Sequence, residues 1–200
     1  ALIIDEVTSG FRETLGGLHL KMDLEPDICI LGKGLGNGYP ISAIIGKSKY
    51  MNAAQETFIS STFFTERIGF VAALETLKQM KKRDVQKKLI SVGQTIKTSW
   101  KEIAENEGIE INVSGLDPLA SFSFVRDDQE LECMTFFIQE MLRDGFLAGS
   151  SYYVSYAVSD RDIEEYLISF KKILKKISSI KDFNDYLVGG VKHSTFQRLN

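Results

Sequence analysis

Apolar residues follow two rhythms along these 200 residues. In the first third they come in short runs, at 2–4, 28–31 and 41–46, bounded by Asp, Gly and Pro, and such runs predict strands. Ile28, Cys29, Ile30 and Leu31 have no polar alternation, so they read as a strand buried on both faces, as in a parallel sheet. Residues 8–26, with Gly10, Gly16 and Gly17, read as a loop with at most a short helix. From about Glu66 the spacing changes: Ile68, Val71, Ala72, Leu74, Leu77 and Met80 recur at helical intervals. Val85, Leu89, Val92, Ile96, Trp100 and Ile103 mark one side of a second helix that ends near Gly108.

The remainder mixes the two patterns. Residues 109–124 predict two short strands around Ser114, Gly115 and Pro118. Met134, Phe137, Ile138, Met141 and Leu142 predict a helix that closes at Gly145 with Arg143 in its last turn. Residues 152–158 read as a strand. Ser159 followed three residues later by Asp162 is a capping-box pattern, and it opens a helix carrying Ile163, Leu167, Phe170, Ile173, Leu174 and Ile177 inward. After Lys181 the tail reads as irregular. The implied organisation is the end of an α/β domain (1–80), a connecting helix (81–106) and a smaller α+β domain (107–200).

Composition narrows the possibilities. With 44% hydrophobic and 26% charged residues the chain is globular in character, and a net charge of -3 gives no electrostatic reason to expect nucleic acid. The basic clusters, Lys81, Lys82, Arg83, Lys87 and Lys88, then Lys171, Lys172, Lys175 and Lys176, alternate with apolar residues at helical spacing and read as solvated faces. Cys29 and Cys133 lie in apolar runs and read as buried reduced thiols, which suits a cytoplasmic protein. No run reaches membrane-spanning length and no secretory signal is visible. Because Ala1 leads straight into a strand, the chain reads as a fragment of a longer protein.

The chemistry gathers in residues 27–40. Glycines at 32, 34, 36 and 38 strip side-chain bulk from both sides of Lys33, so a flat ligand could lie against the backbone with the amine pointing at it. The turn lacks the spacing of a nucleotide-binding loop. Asp5 sits at the end of the first strand, at the carboxyl edge where open α/β sheets place ligand groups. A lysine and a carboxylate so placed are the two groups a pyridoxal phosphate site needs: the amine holds the cofactor as an imine, and the carboxylate keeps the pyridine nitrogen protonated. Ser60, Ser61 and Thr62 are candidates for the phosphate. Arg12 and Glu6 read as structural ion-pair residues, and His19 and His193 have no metal-ligand spacing.

Three ordered motifs carry a resemblance. Residues 5–12 (Asp-Glu-Val-Thr-Ser-Gly-Phe-Arg), the turn 32–40 (Gly-Lys-Gly-Leu-Gly-Asn-Gly-Tyr-Pro), and Thr62 with the helix through Ala72, Ala73 and Leu77 resemble class III pyridoxal-phosphate aminotransferases. With the tail 189–194 (Gly-Gly-Val-Lys-His-Ser), the chain is most similar to the glutamate-1-semialdehyde aminomutase-like branch. The resemblance implies the aspartate aminotransferase-like fold type I, of which this chain supplies the second part of the large domain and the small C-terminal domain. It further implies Lys33 as the aldimine lysine, Asp5 on the pyridine nitrogen, Val7 against the ring, and Thr62 with the Ser61 N–H at the cofactor phosphate of the other subunit of a homodimer. The implied reaction is amino transfer between an amine donor and an aldehyde or keto acceptor, or the related isomerisation. One departure bears on substrate: residues 152–158 (Tyr-Tyr-Val-Ser-Tyr-Ala-Val) hold neither the carboxylate-binding arginine of many class III enzymes nor the acidic residue of the mutases. Their aromatic character suits a larger, less charged molecule such as a sugar or polysaccharide precursor. The alternative expectation is a catalytically silent fragment lacking the N-terminal half of the cofactor site.

Overall fold

The computed structural model describes residues 1–126 and 128–194, which form two compact units divided between Ile90 and Ser91. In the first unit, strands β1 (Ile3–Asp5), β2 (Ile28–Leu31) and β3 (Ala43–Gly46) make one sheet in that order. β1 runs parallel to β2, with Ile3 opposite Ile28 and Asp5 opposite Ile30, while β3 is antiparallel to β2. β-branched residues fill these strands, as pleated half-buried surfaces favour. Burial on β2 alternates: Cys29 and Leu31 are buried and Ile28 and Ile30 only half so, which corrects the expectation of burial on both faces. Cys29 and Leu31 pack with Phe11, Leu35 and Ala73, ringed by Ile41, Ala43, Leu77 and Met80. Ile3, Ile44 and Ile45 are more than half exposed.

A short helix α1 (Ser48–Met51) follows β3, and the 16-residue α2 (Ile68–Arg83) lies on the core. Its buried positions are Gly69 and Ala73, not the larger apolar residues: Ile68, Val71 and Leu74 are each about 60% exposed. The reason is steric. A Cβ at Gly69 would lie 3.2 Å from Ile41 Cβ and from the Pro40 carbonyl, so the small residues, four apart on one face, allow close approach and turn the bulky ones outward. Asp84, in the left-handed region at φ 49°, ends α2, and α3 (Val85–Asn106) starts at the next residue. Val85, Leu89, Val92, Ile96 and Trp100 on α3 are all buried, in the phase the spacing predicts.

The second unit contains the antiparallel sheet β4 (Ile111–Ser114), β5 (Leu119–Phe124) and β6 (Ser151–Tyr153) and the helices α4 (Glu130–Arg143) and α5 (Asp160–Ile177). Its core is aromatic: Phe122 has ring centroids 4.9 to 5.5 Å from those of Trp100, Phe124, Phe137 and Phe170, mostly edge to face. The buried Trp100 Nε1–H donates to Tyr166 Oη at 3.1 Å, so the indole is not left unsatisfied. α5 opens with the capping box the sequence predicts: the Asp162 N–H donates to Ser159 Oγ at 3.2 Å and the Ser159 N–H to Asp162 Oδ2 at 2.8 Å. The strand predicted over 152–158 is shorter than expected. After Tyr153 the Val154 N–H still reaches the Pro118 carbonyl at 3.0 Å, but Ser155 Oγ then accepts from the Ala157 N–H and turns the chain.

Cys29 and Cys133 are free and buried, and burial raises both thiols, Cys133 to about 12. Of the two basic clusters all but the half-buried Lys88 are exposed. Among the described residues no helix is long and apolar enough to cross a membrane.

Candidate active site

β1 and β2 are parallel and paired Asp5 to Ile30, so residues equally far beyond that pair emerge side by side at the carboxyl edge. Thr8 and Lys33 each lie three positions on, and Lys33 Nζ donates to Thr8 Oγ1 at 2.6 Å. Lys33 opens a 3-10 turn (Lys33–Leu35) in which the Leu35 N–H returns to the Gly32 carbonyl at 3.0 Å. Its φ of 40° is in the left-handed region, as is that of Phe11 at 63°, so two non-glycine residues carry backbone strain around this edge. The chain passes close to β1's loop on both sides of Lys33: a Cβ at Gly32 would sit 3.3 Å from Val7 Cγ1, and one at Gly34 would be in ordinary contact, 3.4 Å from the Gly10 carbonyl and Phe11 Cβ.

Asp5 is exposed and accepts from the Val7 N–H at 3.0 Å. Asp5, Val7 and Lys33 therefore share one edge, with the amine and the carboxylate both open to solvent. Ser61 and Thr62 do not join them. They lie in an exposed loop, and among the described residues no hydrogen bond links that loop to Asp5, Val7 or Lys33. The helix after this loop starts close to where the spacing changes at Glu66. The helix begins six residues after Thr62, and the Glu66 carboxylate, not a hydroxyl, accepts from its first N–H at 2.9 Å. Beside Thr62 the aromatic side chains of Phe58, Phe63 and Phe64 are 96%, 76% and 61% exposed.

Glu6, next to Asp5, points the other way and is buried. Its carboxylate accepts from the Leu18 N–H, from the His19 N–H at 2.8 Å and from His19 Nδ1 at 3.0 Å. Glu6 thus takes a structural role as a hydrogen-bond partner of His19, while Arg12 Nε donates to the Thr8 carbonyl at 3.3 Å. Cys29 completes a group in which one atom from each of Glu6, His19 and Cys29 lies within 4.8 Å of the others. Sequence spacing gave no signal for this group, because its members meet only after β1, the loop and β2 have folded together.

The second unit has its own cavity of about 460 Å³, lined by Phe146, Leu147, Tyr152, Tyr153 and Tyr166. Tyr152 and Tyr166 meet edge to face with centroids 5.1 Å apart, and burial raises the Tyr152 hydroxyl above its ordinary range.

The family model for class-III aminotransferases matches residues 1–174. A 3-aminobutyryl-CoA aminotransferase of Cloacimonas acidaminovorans is 30% identical over 185 residues, 86% of this chain and 45% of the relative. A glutamate-1-semialdehyde 2,1-aminomutase of Natronomonas pharaonis is 29% identical over 217 residues, covering 86% of this chain and 48% of its own. Among solved structures, the pyridoxal phosphate internal aldimine form of the FumI protein of Sphingopyxis sp. MTA144 superposes with a TM-score of 0.83 at 26% identity, over 88% of this chain and 43% of that one. The chain spans about half the length of the curated relatives it matches.

Proposed function

Because this chain belongs to the class-III aminotransferase family and has the fold type I architecture, we propose that it carries the lysine and carboxylate of a pyridoxal phosphate site, with Lys33 and Asp5 in those roles. The observation that carries this reading is the parallel register that brings Asp5, Val7 and Lys33 to the carboxyl ends of adjacent strands. The residues present fit the cofactor. A solvent-open amine and carboxylate lie on one edge, with the apolar Val7 two residues beyond Asp5 and side-chain-free glycines on either side of Lys33.

When bound, pyridoxal phosphate supplies an electron-withdrawing ring joined to the substrate nitrogen. This chain would supply a lysine, a carboxylate and an apolar contact around it. Asp5 would accept a hydrogen bond from the ring nitrogen and keep it protonated, and Val7 would pack on the ring. Lys33 Nζ would hold the cofactor, and as a free amine it would serve as the base that moves a proton at the substrate carbon. The outcome is amino transfer between an amine donor and an aldehyde or keto acceptor, or the intramolecular version of that exchange.

The aromatic segment 152–158 and the tyrosine-lined cavity beside it support a hydroxyl-bearing, weakly charged substrate such as a sugar or polysaccharide precursor. Efficient isomerisation of glutamate semialdehyde by the full-length protein would overturn that choice. Ser61 and Thr62, ringed by exposed phenylalanines, act in this reading on the phosphate of a second copy, and covering those rings is the gain that holds the homodimer. Sedimentation of the full-length protein tests this, and a monomer at micromolar concentration contradicts it.

A second reading, in which these 200 residues alone stay catalytically silent, is favoured by the exposure of Ile3, Ile44 and Ile45 on the sheet. Lys33→Ala in the full-length protein tests the principal reading. It should abolish the absorbance band of lysine-bound cofactor, and a retained band would contradict the assignment.

A further inference from the structure

We propose that Thr8 is a positioning residue for the Lys33 amine, its hydroxyl holding Nζ in the orientation from which the nitrogen attacks carbon. This rests on the reading of Lys33 as the cofactor lysine and adds to it a role for a residue that no spacing argument singles out. The contact is the 2.6 Å hydrogen bond from Lys33 Nζ to Thr8 Oγ1, between side chains 25 residues apart in sequence and aligned by the strand register.

Thr8 is built to stay where it is. Its carbonyl accepts from Arg12 Nε at 3.3 Å, and the Gly10 N–H closes the same turn onto the Glu6 carbonyl at 2.8 Å. Glu6, whose side chain is buried against the 18–19 loop, anchors the turn from below. Lys33, in contrast, carries its amine on a flexible four-carbon stem with a large rotamer entropy. A fixed hydroxyl acceptor restricts that search. Once the ammonium has released a proton to solvent, the neutral amine that gives one N–H to Thr8 keeps its lone pair directed away from the hydroxyl, free to form a bond. Each time Lys33 is displaced during turnover, the same hydroxyl gives it a defined place to wait.

The test follows capture of the cofactor, not turnover. In the full-length apoprotein, Lys33 Nζ condenses with the pyridoxal phosphate aldehyde: a C=N bond forms, water leaves, and the absorbance change gives a rate constant. Thr8→Val removes the hydroxyl at constant shape and should slow capture about tenfold, the scale of one oriented hydrogen bond. Thr8→Ala should follow it, while Thr8→Ser, which keeps the hydroxyl, should stay within about twofold of the parent rate. Thr8→Val capturing as fast as the parent overturns the proposal. So does Thr8→Ser being as slow as Thr8→Val, since the methyl and not the hydroxyl would then matter. If the parent protein itself forms no bond at Lys33, the underlying assignment fails and takes this proposal with it, an outcome distinct from the other two.

Discussion

Glu6 accepts from both the backbone N–H and the ring Nδ1 of His19, at 2.8 and 3.0 Å, from a position only 2% exposed. A single buried carboxylate therefore pins the 18–19 loop beneath the end of β1, directly behind Asp5. The fit is tight: a Cβ at Gly17 would stand 2.1 Å from Glu6 Oε2 and would have to displace the carboxylate from these hydrogen bonds.

Glu6→Gln should loosen that loop. The amide has one acceptor oxygen where the carboxylate has two, and its NH2 would face the Leu18 or His19 N–H, donor against donor. A buried donor left unsatisfied costs about 2 kcal/mol, so hydrogen exchange at the Leu18 and His19 amides should accelerate about thirtyfold. Unchanged protection at both amides would show that the carboxylate does not hold the loop.

Gly93 on α3 faces the Asp117 backbone so closely that a Cβ would stand 1.9 Å from its carbonyl oxygen. Lys97 Nζ binds the same loop through the Gly115 carbonyl at 3.0 Å and Asp117 Oδ1 at 3.1 Å, so the backbone cannot simply move away. Alanine gains about 1 kcal/mol of helix propensity over glycine, yet overpacking against backbone outweighs it. Gly93→Ala should destabilise the second unit by about 3 kcal/mol in urea unfolding. A neutral or stabilised variant would contradict this packing.

Glu140, buried on α4, accepts from Lys176 and Arg143 and joins α4 to α5. Burial alone pushes its carboxyl upward, but the hydrogen bonds from Lys176, Gln139 and Arg143 outweigh it and hold the group below its ordinary value of 4.5. A carboxyl depressed on folding adds stability that is complete above the unfolded value and is lost as pH falls through the folded one. Glu140→Gln should therefore cost about 2 kcal/mol at pH 7, and the difference from the parent should shrink steadily below about pH 4.5. A pH-independent difference would mean that the charge of Glu140 contributes nothing.

How much of this was legible in the sequence depends on whether side-chain size or chain proximity decides the outcome. The face of α3 and the capping box of α5 were readable, since each rests on residue types at a local spacing. On α2 the spacing finds Leu77 and Met80, which pack on the core, but not Gly69 and Ala73, which carry little hydrophobic signal yet define the buried side of the first turns by their smallness. The strand from 152 was overextended because Ser155 diverts the chain through its own hydroxyl, a local competition that apolar content hides. At the site, Lys33 and Asp5 were conspicuous through their motifs. Thr8 gained its meaning only from the parallel register, and Glu6, His19 and Cys29 met only in three dimensions.

Everything proposed for this site depends on Lys33 being the residue that binds pyridoxal phosphate. The most direct measurement incubates the full-length protein with the cofactor, fixes any adduct with borohydride, and maps it by peptide mass spectrometry. A single stoichiometric modification is expected on the peptide containing Lys33, lost in Lys33→Ala. Modification scattered over the exposed lysines of α2 and α5, or concentrated at any lysine other than Lys33, would contradict it.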